Sequence, residues 1–153
     1  MIEATLCYVR NKDKTLMMHR IKKKNDMHAN KWNGVGGKFE AGESPEDCAF
    51  REIKEESGFD VYNLKMKAVL TFPKFDGEND WLVFAFVAET DEFDFIQTHE
   101  GVLHWIDNDK ILELDLWEGD KIFIPLLYQE RFFSAKFNYE KGKLISHNIF
   151  FYE

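Results

Sequence analysis

The sequence predicts an α/β (α+β) fold in which a mixed β-sheet is sandwiched between α-helices. Three observations lead there. Strand-like segments outnumber helical ones, the helical segments fall between strands, and no linker, repeat or low-complexity stretch divides the chain. One domain over residues 1–153 is therefore expected. Hydrophobic residues make up 44% and charged residues 31%, a balance inside the globular range and outside the disordered class. A domain of roughly 150 residues hides about two-thirds of its unfolded surface, enough for a core without staples.

Residues 2–9 and 14–20 read as strands joined by the polar turn Asn11-Lys12-Asp13. A basic loop, Lys22-Lys23-Lys24, leads to Trp32-Asn33-Gly34-Val35-Gly36-Gly37, where three glycines in four residues call for unusual backbone angles or close approach. Residues 45–57 read as a helix: Ser44 suits the N-cap, Pro45 the first position, Glu46 and Asp47 the positive end of the dipole, and Gly58 the stop. Residues 60–72 and 80–90 read as long strands around Asp76-Gly77-Glu78-Asn79-Asp80, and 101–106 as a short one. Residues 107–113 and 119–129 read as helices, and 131–140 with 143–152 as a closing hairpin around Lys141-Gly142-Lys143.

Charge and composition narrow the function. Twenty basic against 28 acidic residues leave a net charge of −8. That balance argues against a nucleic-acid polymer as partner, because neutralising many phosphates takes clustered Lys and Arg. It leaves room for a small phosphorylated substrate that arrives with a divalent cation. Cys7 and Cys48 make no disulfide framework and show no zinc spacing, so they read as small buried hydrophobes in a reducing compartment. The N-terminus lacks the apolar core of a signal peptide and no apolar run is long enough to span a membrane, so a cytoplasmic location is expected. The expected state is a monomer, which no feature of the sequence fixes. Fifteen Phe, five Tyr and four Trp make the core, or a pocket in it, unusually aromatic.

The most informative stretch is GKFEAGESPEDCAFREIKEESGF, Gly37 to Phe59. At 100° per residue Glu52, Glu55 and Glu56 share one sector of the helix, while Ala49, Phe50 and Ile53 point elsewhere and can enter the core. Like charges at such spacings destabilise a helix by a few tenths of a kcal/mol per pair, so the stripe calls for a cation. A solvated acidic face is the ordinary reading of a Glu-rich helix. Here, however, a glycine-rich loop runs into the helix and can add backbone carbonyls, and an all-oxygen ligand set suits Mg²⁺, with Mn²⁺ as a substitute.

The stretch resembles the Nudix box, G-x5-E-x7-R-E-U-x-E-E-x-G-U with U apolar. Gly37, Glu43, Arg51, Glu52, Ile53, Glu55, Glu56, Gly58 and Phe59 fill every position, a coincidence expected about once in 10⁸–10⁹ at average residue usage. The resemblance implies the Nudix fold over the whole chain and Mg²⁺-dependent hydrolysis of a nucleoside diphosphate linked to another group. It implies Glu52, Glu55 and Glu56 as metal ligands with the carbonyl of Gly36, and Arg51 with Glu43 as a pair that orients those carboxylates. Lys38 is a candidate for a phosphate contact, equally readable as a solvated lysine. The general base is Glu52 or Glu100, and Glu100 is also a candidate ligand.

Outside the box the chain resembles the MutT-like oxidised purine nucleoside triphosphatases. The likeness runs through Lys31-Trp32-Asn33-Gly34, Glu100 with Trp105, Trp117 to Asp120, Pro125-Leu126-Leu127 and the tail from Phe132 to Tyr152. It implies hydrolysis of 8-oxo-dGTP to the monophosphate and pyrophosphate, with Trp117 as stacking platform, Asn33 as amide reader, Asp120 as the carboxylate facing the guanine N–H edge, and Arg20 as a further substrate contact. A purine gains about 1–3 kcal/mol from an aromatic platform. Each of these residues also has a plain structural reading: core tryptophan, turn asparagine, solvated helix-start acid. One of Met27 and His28 is expected in the loop that covers the base; His19, His99, His104 and His147 read as incidental.

One departure stands out. The relatives with the closest base-reading logic carry two adjacent aspartates, and here the first position is Gly119. Asp120 is then expected to be a single, mainly ionised acceptor, unless Glu118 replaces the partner. That predicts preference for 8-oxo-dGTP over 2-oxo-dATP by at least ~10-fold, and broader activity for Gly119→Asp if the backbone tolerates a side chain. Other Nudix substrates (ADP-ribose, a nucleotide sugar, a dinucleotide polyphosphate) are the alternative, kept open by Pro73, although Phe72-Pro73 equally suits a strand end. A non-catalytic binder has no need of the intact acidic triad and Glu43.

Overall fold

The computed structural model describes residues 1–21, 26–96 and 101–153. The basic run Lys22, Lys23 and Lys24, and His99 and Glu100, lie outside the described residues. Eight strands are described: β1 Ile2–Asn11, β2 Lys14–His19, β3 Trp32–Asn33, β4 Tyr62–Phe72, β5 Trp81–Glu89, β6 Val102–Asp107, β7 Phe133–Glu140 and β8 Lys143–Phe151. With them are helices α1, Pro45–Ser57, and α2, Glu118–Leu126, and a 3₁₀ helix over Asn108–Glu113. The sheet runs β3-β2-β1-β5-β4-β7-β8, with β6 bonded to β2. The β1–β5 and β4–β7 pairs are parallel and the others antiparallel, so the sheet is mixed.

Alternation along the strands makes two apolar faces, one for each α-helix. Cys7 and Val9 of β1, Leu16 and Met18 of β2 and Phe86 of β5 pack with Ala49 and Ile53 of α1. Tyr8, Met17 and Ala85 point the other way and pack with Phe123 and Ile124 of α2. β4 serves both faces. Met66 stands opposite Phe86 and Ala68 opposite Ala85, and the bulge between them turns Ala68, Leu70 and Phe72 to the α2 side. The mixed sheet sandwiched between helices is thus present. Pro73 follows directly on the end of β4, as the strand-end reading requires.

Three local expectations need correction. Residues 108–113 form a 3₁₀ helix, not an α-helix, and α2 ends at Leu126 rather than at 129, with Pro125 inside its last turn. The two-residue strand β3 carries too little periodicity to be seen in sequence. Phe50 is 47% exposed, not in the core. The buried stripe of α1 runs from Cys48 through Ala49, Ile53 and Glu56 to Ser57, and Phe50 falls just past its edge. Among the described residues no helix is long and apolar enough to cross a membrane.

Candidate active site

β2 parts from β1 beyond the Val9–Leu16 pair, and the glycine-rich loop takes the vacated edge. Cys7 N–H donates to Val35 O at 2.6 Å and Thr5 N–H to Gly37 O at 2.9 Å. The glycines are needed for close approach: a Cβ on Gly36 would stand 2.2 Å from Thr5 O, and one on Gly37 2.5 Å from Glu52 Oε1. The loop is thereby laid against α1, whose start is fixed by a capping box. Asp47 N–H donates to Ser44 Oγ, and Ser44 N–H donates to Asp47 Oδ2. Gly58, at φ 83°, closes the other end by donating to Lys54 O.

The acidic stripe lies at this junction. Glu56 is 6% exposed and its Oε2 accepts the Gly36 N–H at 3.1 Å. Arg51 grips Glu43 through two bonds of 2.7 and 2.9 Å, and its Nη1 donates to Glu52 at 2.8 Å and Glu55 at 3.2 Å. Its Nη2 also holds Lys38 O at 3.0 Å. Arg51 therefore supplies positive charge to two members of the stripe, Glu52 and Glu55. Its hydrogen bonds, with a further one from the Glu40 N–H, hold the Glu43 carboxyl down at about 2. Among the described residues no three His, Cys, Asp or Glu side chains converge on one cation-sized point, since Glu52 and Glu55 turn to Arg51. The donor set, carboxylates beside backbone carbonyls, nevertheless fits a hard divalent cation by type.

A cleft of about 880 Å³ joins this acidic end to an aromatic one, a size suited to a nucleotide-like ligand. Gly36, Gly37, Lys38, Arg51, Glu52 and Glu55 line the first end; Asn33, Phe72, Phe75, Trp117, Asp120 and Tyr139 line the second. Lys38 Nζ sits 5.4 Å from the Trp81 ring centre. Arg20 reaches the cleft but is held by Asp26, Nε to Oδ2 at 2.9 Å. Trp117 stands edge-on to Phe75 at 5.0 Å and to Tyr139 at 5.5 Å. Its indole N–H donates to His28 Nδ1 at 2.8 Å, and Lys31 Nζ lies 5.5 Å from its ring centre. Met27 and His28 both line the cleft. His28 carries no spacing signal in the sequence, and only its partnership with Trp117, 89 residues on, marks it out.

Two polar groups at the aromatic end stand out. Asn33 Oδ1 is buried with no hydrogen-bond partner among the described residues. Asp120 is 4% exposed, and no described residue hydrogen-bonds to its carboxyl. Both readings of these residues as plain turn or solvated acid are thereby set aside.

The expectation of a mainly ionised Asp120 also needs correction. Burial pushes its carboxyl up to about 7, against a counteracting pull from Lys31. Burial thus does what a neighbouring carboxylate would do, and near pH 7 Asp120 is not a fixed acceptor. Glu118 does not replace the missing partner, because its Oε1 accepts the Leu144 N–H. Gly119 has no room for a side chain: a Cβ there would stand 2.8 Å from Tyr139 Oη and 2.9 Å from Phe137 Cδ1. Gly119→Asp is therefore expected to lower stability by about 1–3 kcal/mol, as overpacked cores do, instead of broadening activity; urea unfolding checks this.

An intact box on the helix of a mixed-sheet sandwich defines a Nudix hydrolase, and comparison with known proteins agrees. Residues 2–127 match the family model of the NUDIX domain, and the chain belongs to that family. It is 36% identical to the oxidized purine nucleoside triphosphate hydrolase of Danio rerio over 80% of this chain and 79% of that one. It is 35% identical to the protein of the same name from Mus musculus, over 83% and 82% of the two chains. The mutator MutT protein of Bacillus halodurans superposes with a TM-score of 0.83 at 32% identity, covering 97% of each chain. Nudix hydrolases generally use divalent metal ions such as Mg²⁺.

Proposed function

We propose that this protein hydrolyses oxidised purine nucleoside triphosphates, 8-oxo-dGTP foremost, to the monophosphate and pyrophosphate with Mg²⁺, and so cleanses the nucleotide pool. The observation that carries this reading is the pair of buried polar groups, Asp120 and Asn33 Oδ1, that have no hydrogen-bond partner among the described residues, beside Trp117 in the cleft that ends at the box glutamates. Buried polar groups left unpaired cost free energy until a ligand satisfies them, and such a site rejects bases that leave them unpaired. The names of the two vertebrate relatives support the same substrate class. The single domain of residues 1–153 would act on a small molecule, as a cytoplasmic monomer.

Trp117 would carry the base, with His28 fixing the ring's rotation; Asn33 and Asp120 would read its edge, and Arg20 and Lys38 would contact substrate further along the cleft. Glu52, Glu55, Glu56 and the Gly36 carbonyl would hold Mg²⁺, which when bound polarises the phosphorus and balances the charge of the departing group. Arg51 and Glu43 would keep Glu52 and Glu55 in place. A carboxylate within hydrogen-bond reach of the attacking water, Glu52 or Glu100, would take its proton. The water oxygen bonds to the β-phosphorus while the bond from that phosphorus to the α–β bridging oxygen breaks, and that oxygen leaves with the monophosphate.

A panel of nucleotides with Mg²⁺ tests this, with pyrophosphate and orthophosphate measured separately. The expected result is pyrophosphate from 8-oxo-dGTP and little turnover of ADP-ribose, nucleotide sugars or dinucleotide polyphosphates. In ¹⁸O-water the label should enter pyrophosphate; label in the monophosphate would place attack at the α-phosphorus. His28→Phe keeps a ring against Phe75 but removes the acceptor for Trp117. It is expected to raise KM for 8-oxo-dGTP about 3- to 10-fold, in line with losing one buried hydrogen bond, with kcat nearly unchanged; steady-state kinetics decides.

A further inference from the structure

Tyr139 is used in none of the roles above, although it lines the aromatic end of the cleft. Its ring is wedged edge-on against Phe75 at 5.3 Å and Trp117 at 5.5 Å, so it has little freedom to turn. Its hydroxyl oxygen accepts the Gly119 N–H at 2.7 Å, which fixes the oxygen beside the residue that precedes Asp120. A phenol has one proton to give and two lone pairs to offer. One lone pair is spent on Gly119, and the proton has no acceptor among the described residues. The absence of a side chain at Gly119 has the same cause, since a Cβ there would meet that oxygen at 2.8 Å. Gly119 and Tyr139 thus form a complementary pair that holds a phenol hydroxyl on the first turn of α2, one residue from the buried acid.

We infer that Tyr139 is a specificity-determining residue whose hydroxyl donates to a carbonyl at position 6 of the purine and disfavours an amino group there. The inference rests on the base-binding reading of this cleft. A 6-oxo purine presents a carbonyl beside its N1–H, which matches an O–H donor beside a carboxyl acceptor. A 6-amino purine presents a donor where Tyr139 also donates, and one of the two stays unpaired. Sites built to hydrogen-bond a substrate group discriminate strongly against the analogue that cannot return the bond.

The test compares 8-oxo-dITP with 8-oxo-dATP, two substrates that differ only at position 6 and its neighbouring ring nitrogen. The unmodified protein is expected to favour 8-oxo-dITP by at least ~10-fold in kcat/KM. Tyr139→Phe keeps the ring contacts and should shrink that preference at least ~5-fold, mostly through KM for the 6-oxo substrate. A purely structural role for the hydroxyl would lower both substrates together and leave the ratio unmoved, which overturns the inference while oxidised-purine hydrolysis stands. Equal kcat/KM for the two nucleotides in the unmodified protein overturns it as well, whether or not the variant folds. No turnover of 8-oxo-dGTP, 8-oxo-dITP or 8-oxo-dATP would instead bring down the proposed function, and this inference with it.

Discussion

Glu56→Gln is expected to lower kcat by at least ~10³, about 4 kcal/mol of transition-state stabilisation, without loss of the fold. The amide is isosteric, and its carbonyl can still accept the Gly36 N–H that Glu56 Oε2 now takes at 3.1 Å. It cannot supply the charge. Glu56 lies inside the buried stripe of α1, while the Glu52 side chain is 14% and that of Glu55 58% exposed. It is therefore the least solvated of the three. Without divalent ions the variant should melt at the same temperature as the unmodified protein or higher, because one member of a repelling cluster is gone. With Mg²⁺ or Mn²⁺ the unmodified protein should gain thermal stability, since an ion that binds only the folded state shifts the equilibrium. The variant should lose that gain. Near-normal turnover by Glu56→Gln, or an equal gain on adding metal, would remove Glu56 from the ligand set.

What could be seen in the sequence was local. The start and stop of α1 rest on Ser44, Pro45, Asp47 and Gly58, all within a turn of the helix ends, and the structure agrees to the residue. The grip of Arg51 on Glu43 spans eight residues, and only the resemblance to the Nudix box implies it. The partnerships at the aromatic end are of another kind. His28 meets Trp117 across 89 residues, and Tyr139 meets Gly119 from a different layer. No periodicity encodes such meetings, because they depend on how the loop before β3, the start of α2 and strand β7 are brought together by the sheet. The bulge in β4 hides for a related reason: Leu64, Met66, Ala68 and Leu70 keep an unbroken alternation in sequence while the strand switches faces between Met66 and Ala68. The charge state of Asp120 is not legible in the sequence, because a position in the first turn of a helix is ordinarily solvated, whereas here it is buried and lines the cleft.

That burial makes Asp120→Asn the most revealing substitution at the base end, since stability and activity should move in opposite directions. The carboxyl titrates near 7 in the folded protein, pushed up by burial, against about 4 in an unfolded chain. Between these values the folded state holds a proton that the unfolded state has lost, so stability must fall as pH rises. The contribution of the neutral acid is fully present below pH ~4 and is lost as pH passes through ~7, a change on the order of 4 kcal/mol if the whole shift is expressed. Asn does not titrate, so the variant should gain stability over the unmodified protein as pH is raised from 5 to 8, and denaturant melts at the two pH values measure this. Activity should go the other way. The amide presents a donor to the N–H edge of guanine or must rotate against its own surroundings, so kcat/KM for 8-oxo-dGTP is expected to drop by at least ~10² at pH 8, about 2.7 kcal/mol. The unmodified protein should also show an inflection near pH 7 in kcat/KM that the variant lacks. A variant that is both stabler at high pH and fully active would mean that Asp120 is buried for some purpose other than reading the base; a variant whose stability tracks the unmodified protein at both pH values would show that the carboxyl is ionised in the fold after all.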